Sequence, residues 1–547
     1  GSLLCIMIRS EVMLMQPSKF DSFSGGDENL AEEDELLGTD RSRGNNFDES
    51  TYEEAIEKTG NGRFHWWLML VCGLSNASEA VEILCISFLL PSAECDLQMT
   101  SSQKGILTAL GFLGMVVGQY GWGTLGDVIG RKYMLISSTF FNATFGALSS
   151  FAQTYWLFVL LRFFSGVGVG GSVPLTWTYF VEFQPKSRRG KALCILASCW
   201  MFGNCAVAAL AWGIIPQDVG FQTETFSYSS WRVFALCTNL PSYLTATLIC
   251  FLPESPKYLM CMGKEKEALE VFNKVYTTNY PKSIIPYPIQ RLDMDTRDQA
   301  DLKTRSMKYI CLYFKQMGKQ IGSLFKNTKV ARVTIVLMSI TFLLNFGYYG
   351  LWMWFPELFN RLEQYEAQHP GSRPTVCEIS YLHVNTSSGD QFHCTQTVDP
   401  QVYVNAFLTS LAQLPGNLLT IFCVESLGRR FFVVGSMVAA GLAAFLIFIV
   451  RRSSENVMVS CLFGFLTTMG FNCLGVIHTE HFETEYRSTG VAFVLAFGKI
   501  GAVLGSVVFG QFIDLHCAIP ISSVAVFMIV GGVMVFLLPD KTKQALL

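Results

Sequence analysis

A run of roughly twenty apolar residues, the length that carries a helix across a bilayer, recurs twelve times in this chain. The runs lie at 66–90, 105–126, 133–153, 156–181, 191–215, 232–252, 332–355, 401–423, 431–450, 457–479, 490–513 and 519–538. Lipid offers the backbone no partners, so each run is expected to be a helix that satisfies its own polar groups. The hydropathy is too continuous for the alternating strands of a barrel. Composition agrees: half of the residues are hydrophobic and 15% are charged, against about 25% in soluble proteins. The fold class expected is an all-α membrane protein with twelve transmembrane helices.

The second and eighth runs each end in a compressed charged turn, Gly123–Lys132 and Val424–Arg430. Asp127 and Glu425 are 298 positions apart, and the same offset maps Gly130-Arg131-Lys132 onto Gly428-Arg429-Arg430, Glu182 onto Glu480 and Arg189 onto Arg487. One offset registering several charged landmarks implies two pseudo-symmetric six-helix bundles derived from a duplication. The expected layout is a disordered cytoplasmic tail over 1–62, a first half over 63–252, a cytoplasmic loop over 253–331, a second half over 332–538 with a luminal loop at 358–400, and a cytoplasmic tail over 539–547.

Lys and Arg collect on one side of this layout, at Arg131, Lys132, Lys186, Arg188, Arg189, Arg429, Arg430 and Arg487, which makes that side cytoplasmic. The mixed start of the chain, broken by Arg9 and Glu11, does not read as a signal peptide. Glu32 to Leu37 reads either as an acidic dileucine sorting signal or as an amphipathic piece of tail. The 358–400 loop holds the sequon Asn385-Thr386-Ser387 and the pair Cys377 and Cys394, which either form a disulfide in an oxidising lumen or remain free thiols.

Twelve runs in two registered halves, with charged turns after the second and eighth, resemble the major facilitator superfamily. Within it, GFLGMVVGQYGWGTLGDVIGRK, SGVGVGGSVP, PSAECD, SWRVF and FGYYGLWMWFPE are similar to the synaptic vesicle glycoprotein 2 group. The luminal loop is shorter than in that group. Phe471 and Gly475 stand where the group has Trp and Asp, and Glu483 stands for the expected Pro. The resemblance implies two helical bundles that rock around a central site. It also implies a cytoplasmic latch in which Asp127 pairs with Arg131 or an Arg near the fourth run, together with Gly123, Gly130, Arg162, Glu182, Arg189, Glu425, Arg429, Glu480 and Arg487. The plainer reading is a turn that only sets topology.

Ionisable groups inside lipid are costly and therefore functional candidates. Glu79 and Glu82, on one face of the first run, and Lys499 in the eleventh are expected to form an internal ion pair, a proton-coupling site or part of an organic-cation site; structural roles are the alternative. Trp200, Tyr348, Tyr349 and Phe471 are candidate pocket walls, and Asn204 and Asn472 are inward-facing polar groups. Trp66, Trp67 and Trp354 read as interfacial anchors, and His478 as a buried structural residue. The net charge of −3 excludes a nucleic-acid surface, and no cofactor, metal or enzyme motif is present. The function expected is secondary-active transport of a small organic solute, a sugar or an organic ion, with proton coupling as an option, in a secretory or synaptic vesicle membrane. The alternatives are a vesicle trafficking partner or receptor on a carrier scaffold, and a plasma-membrane carrier.

Overall fold

A computed structural model describes residues 51–217, 219–223, 226–282, 285–292, 318, 321–369, 375–379, 398–482 and 487–539, with backbone only at 222, 421–427, 479, 480 and 487–489. Nine helical segments among the described residues are long and apolar enough to cross a membrane. Helices also occupy the three other expected positions. The third, Arg131–Ser149, opens on a basic pair and carries several hydroxyl side chains. The sixth divides into Ser230–Cys237 and Leu240–Ile249, with a Pro in the first turn of the second piece. The eighth divides into Pro400–Leu411 and Gln413–Leu427 at Ala412.

Two boundaries differ from expectation. Residues assigned to a disordered tail include the helix Tyr52–Lys58, started by a capping box between Thr51 and Glu54. It packs Ala55 and Ile56 against Leu259, Phe272 and Tyr287 of the segment between the halves, where helices Pro256–Cys261 and Glu265–Asn279 form. A tail dominated by acidic residues hides such a helix, because only two of its apolar side chains are needed for docking. The seventh span runs as Thr328–Trp352 and then Phe355–Gln368, so the first part of the expected 358–400 loop is helix.

The duplicated turn places a positive-φ glycine between two helices in both halves. The second span, Ser101–Ile129, stops at Gly130, and the eighth stops at Gly428; the third and ninth start at Arg131 and Arg429. Gly130 has φ 134° and Gly428 φ 81°, conformations that L side chains rarely adopt. A Cβ on Gly203 of the fifth span, Arg189–Ile214, would lie 2.4 Å from the Ala77 carbonyl oxygen of the first span, Arg63–Ser92. Its counterpart at the same offset, Gly501 of the eleventh span, Arg487–Phe512, would meet the Phe342 carbonyl of the seventh at 2.3 Å. The offset therefore carries close helix approaches as well as charges.

Close approach also fixes the fourth span, Tyr155–Val181, on the second. A Cβ on Gly118 would fall 1.9 Å from the Val167 carbonyl oxygen, and one on Gly170 would fall 2.2 Å from that of Met115. Small residues that let backbones touch are the packing device available where lipid competes for apolar surface. Gly118→Val is accordingly expected to force the two helices apart, at a cost of about 1–3 kcal/mol or more. Thermal melting of the purified protein followed by tryptophan fluorescence checks this, and an unshifted melt contradicts the packing.

Candidate functional site

The first span turns both of its carboxylates toward the fourth. Glu79 and Glu82 are 1% and 2% exposed, so neither is solvated by bulk water. Glu82 Oε1 accepts hydrogen bonds from Arg162 Nη1 and Ser165 Oγ, each at 2.7 Å. Arg162, 1% exposed, also reaches Cys85 Sγ at 3.2 Å, and its guanidinium lies 5.4 Å from the Phe158 ring centroid. Ser165 in turn bonds Asn142 Oδ1 at 2.8 Å. Glu79 Oε1 accepts from Ser75 at 3.3 Å and from Thr176 at 3.2 Å. The second oxygens of both carboxylates are buried without a hydrogen-bond partner.

This corrects the expected pairing across the halves. Lys499 makes no ion pair with Glu79 or Glu82 among the described residues. Its ammonium lies 4.7 Å from the Tyr349 ring centroid, 5.8 Å from that of Phe112, and donates to Tyr349 Oη at 3.4 Å. Helical spacing put the two acids on one face, but it could not say which neighbour that face meets. Arg162, which the resemblance assigned to gating, is the actual counter-ion.

Aromatic side chains of the second half gather beside Lys499. Tyr348 stacks on Trp352 with centroids 5.5 Å apart and meets Phe471 edge-on at 5.0 Å, while Phe471 lies 6.3 Å from Tyr349. Phe112 of the second span completes the group, 4.7 Å from Tyr349. A small cavity inside the first half is lined by Glu82, Arg162, Ser165, Phe112 and Thr108, and Met353 is the single wall residue that the second half contributes. Farther along the interface Asn204 Nδ2 donates to Gln413 Oε1 at 3.0 Å, and Asn472 Nδ2 to Asn417 Oδ1 at 2.8 Å. Asn417 in turn reaches Ser198 across the halves at 3.0 Å. Trp200 packs beside this interface, half-buried against the core. His478 is buried and shares a hydrogen bond with Thr341 at 2.9 Å. Trp66 and Trp67 are exposed, but Trp354 is fully buried on Phe509 and is not an anchor.

At the Asp127 end of the second span, Arg131 bonds Asp127 at 2.6 Å and Glu182 at 3.5 Å. Burial pushes the Glu182 carboxyl up, and the Arg131 guanidinium opposes that shift. The helix Tyr52–Lys58 ties into the same cluster. Tyr52 Oη donates to the Glu182 carbonyl, and Arg189 pairs with Glu53 at 3.1 Å. A Cβ on Gly121 or Gly123 would meet nothing within 4 Å. The side chains of Glu425, Glu480 and Arg487, and all of Asn385, Cys394 and the Glu32–Leu37 segment, lie outside the described residues; Arg429 starts the ninth span.

The opposite end carries a network that the sequence reading missed. Lys104 Nζ lies 2.8 Å from both Glu94 and Glu357, which belong to different halves. Arg361 bonds Glu357 at 2.9 Å, Asp514 at 2.7 Å and Ser101 at 2.9 Å. Gln511 donates to Ser102 at 2.7 Å, and Ser92 shares a hydrogen bond with Tyr403 at 2.9 Å. The two halves are thus bolted together at this end. A disulfide braces it: Cys377 pairs with Cys517, with Cα atoms 5.2 Å apart. The Cys377–Cys394 bridge is therefore excluded, because the segment after the seventh span folds back onto the start of the twelfth, Ala518–Met534. Cys95 is also disulfide-bonded.

Comparison with known proteins places this architecture. The profile of the family described as "Sugar (and other) transporter" matches residues 45–364, and that of the Major Facilitator Superfamily matches 391–546. Human synaptic vesicle glycoprotein 2B is 29% identical over 99% of this chain and 92% of its own length. Rat synaptic vesicle glycoprotein 2A is 29% identical over 90% of this chain and 80% of its own. Among solved structures, the partially occluded inward-open xylose transporter XylE from E. coli superposes with a TM-score of 0.64. It is 15% identical, and the match covers 88% of this chain and 99% of that one. A D-xylose-proton symporter gives 0.60 at 15% identity over 89% and 100%. With one profile spanning more than half of its residues on a two-bundle helical scaffold, the chain belongs to the sugar (and other) transporter family of the major facilitator superfamily.

Proposed function

We propose that this protein is a secondary-active carrier that moves a small organic solute by alternating access, with the Arg131 end cytoplasmic and the Lys104 end exoplasmic. The observation that carries the reading is the buried Glu82–Arg162 pair opening onto a small cavity of the first half that reaches the second half at Met353. A buried ion pair costs desolvation energy, and one facing a cavity marks a substrate or proton pathway. Glu82 and Glu79 supply the carboxylates that can hold a proton. Phe112, Tyr348, Tyr349 and Phe471, with Trp200 and the Asn204 and Asn472 amides, form the walls. Lys499 supplies a cation beside aromatic faces, suited either to hydroxyl-rich rings or to the polar group of an organic ion. Asp127, Arg131 and Glu182 form the cytoplasmic latch, with Glu425, Glu480 and Arg487 as counterparts.

Two known neighbours are named as xylose carriers and one of them as a proton symporter, which favours a sugar and a proton. The synaptic vesicle glycoproteins favour a vesicle membrane as the location. They also keep open a second reading, a trafficking partner or receptor on a carrier scaffold. Uptake of radiolabelled hexoses and organic ions into proteoliposomes separates the two. Uptake of at least one solute above protein-free liposomes supports the carrier, and none across the panel supports the scaffold.

A further inference from the structure

The bolt between the halves at the Lys104 end is a linear chain of alternating charge, Glu94–Lys104–Glu357–Arg361–Asp514. Its middle is dry: Lys104, Glu357 and Arg361 have side chains 0%, 2% and 5% exposed, whereas Glu94 and Asp514 at the two ends are 17% and 28% exposed. Three carboxylates face two cations, so the fully ionised chain carries one surplus negative charge in a poorly solvated interface. One proton removes that surplus.

The three acids are not equally able to take it. Glu357 is held by both Lys104 and Arg361. Asp514 has Arg361 and the most water, with the exposed His516 two residues away. Glu94 has Lys104, whose ammonium it shares with Glu357, and more weakly the field of Arg361, while Glu357 repels it. The other charge on its own short helix, Asp96, is engaged by the hydroxyl of Ser229 and, at 2.8 Å, by Trp231 Nε1.

We propose that this chain is a proton-responsive exoplasmic gate: closing it draws one proton onto Glu94, so acid on the exoplasmic side favours the carrier closed on that side. Lys104 and Glu94 belong to the same half. When the halves part there, Glu357 leaves with its own half, Lys104 neutralises Glu94 alone, and the proton is released. Burial raises the Glu94 carboxyl in the closed gate, and Lys104 only partly opposes this. A group whose affinity for protons is higher in one state stabilises that state in acid, and loses that contribution as pH rises through its pKa there. The gate therefore tightens as pH falls and loosens as it rises.

The inference rests on the proposed orientation but not on any transported solute, so it is read from conformation alone. Spin labels at the exposed positions Gln98 and Gln368, on opposite halves at this end, report the gap by double electron–electron resonance in the full-length protein with Cys194, Cys250 and Cys261 replaced by Ser. In the wild type the short-distance population is expected to grow as pH falls from 7.5 to 5.0, by up to about tenfold per pH unit, the limit for one proton. Glu94→Gln, a permanently neutral end, is expected to stay short at both pH values, and Asp514→Asn, which removes the same surplus charge from the other end of the chain, is expected to weaken the response. A wild-type distance that ignores pH, a wild-type shift retained in Glu94→Gln, or a full wild-type response in Asp514→Asn overturns the proposal.

Discussion

Glu82→Gln is expected to cost about 3–5 kcal/mol of stability, because it strands the buried Arg162 guanidinium without a carboxylate. Ser165 and Arg162 would be left sharing one neutral amide oxygen as their acceptor. Gradient-driven uptake is expected to disappear together with the stability. The double variant Glu82→Met with Arg162→Met separates these effects. Replacing both members of a buried pair by apolar side chains is often neutral or stabilising, so the melting temperature is expected to return close to that of the wild type while coupled uptake stays absent. A double variant that melts normally and still accumulates solute against its gradient would show that the pair is scaffolding.

The second large effect belongs to the opposite end of the bundle. Lys104→Met removes the cation that joins Glu94 to Glu357 and leaves Arg361 facing the remaining acids. Breaking one partner out of a buried pair is worth about 3–5 kcal/mol, which in a two-state carrier shifts the closed population by more than a hundredfold. The exoplasmic face is expected to open. A cysteine at Thr108, one turn below Lys104, 1% exposed and lining the cavity, provides the readout. It is expected to resist an impermeant maleimide in the otherwise wild-type protein and to react from the exoplasmic side in Lys104→Met. An unreactive cysteine in both would show that the clasp does not hold the halves together.

What the sequence made legible follows from how each feature is written in it. The helical bundle was readable because lipid demands long apolar runs, and the duplication because one offset of 298 registers Asp127 with Glu425 and Gly130-Arg131 with Gly428-Arg429; the structure adds a positive φ at both glycines. Glu79, Glu82, Arg162 and Lys499 stood out as charges in apolar surroundings. Their partners did not, since 3.6-residue spacing defines a face and leaves the facing helix unspecified. Lys104, Glu357 and Arg361 were overlooked for a different reason: they sit at the margins of apolar runs, where charges look like ordinary loop residues. The i,i+4 spacing of Glu357 and Arg361 was the available clue that the seventh helix continues. For Cys377, nearness in sequence suggested Cys394, whereas its partner Cys517 is 140 residues away.

The Glu82–Arg162 pair is expected to couple a proton to solute movement between the halves. Solute uptake into proteoliposomes carrying the wild type or Glu82→Met with Arg162→Met, each with and without an imposed pH gradient, tests it most directly. Wild-type uptake is expected to rise with the gradient, and the double variant to fold but not respond to it. Equal responses of the two proteins to the gradient would contradict it.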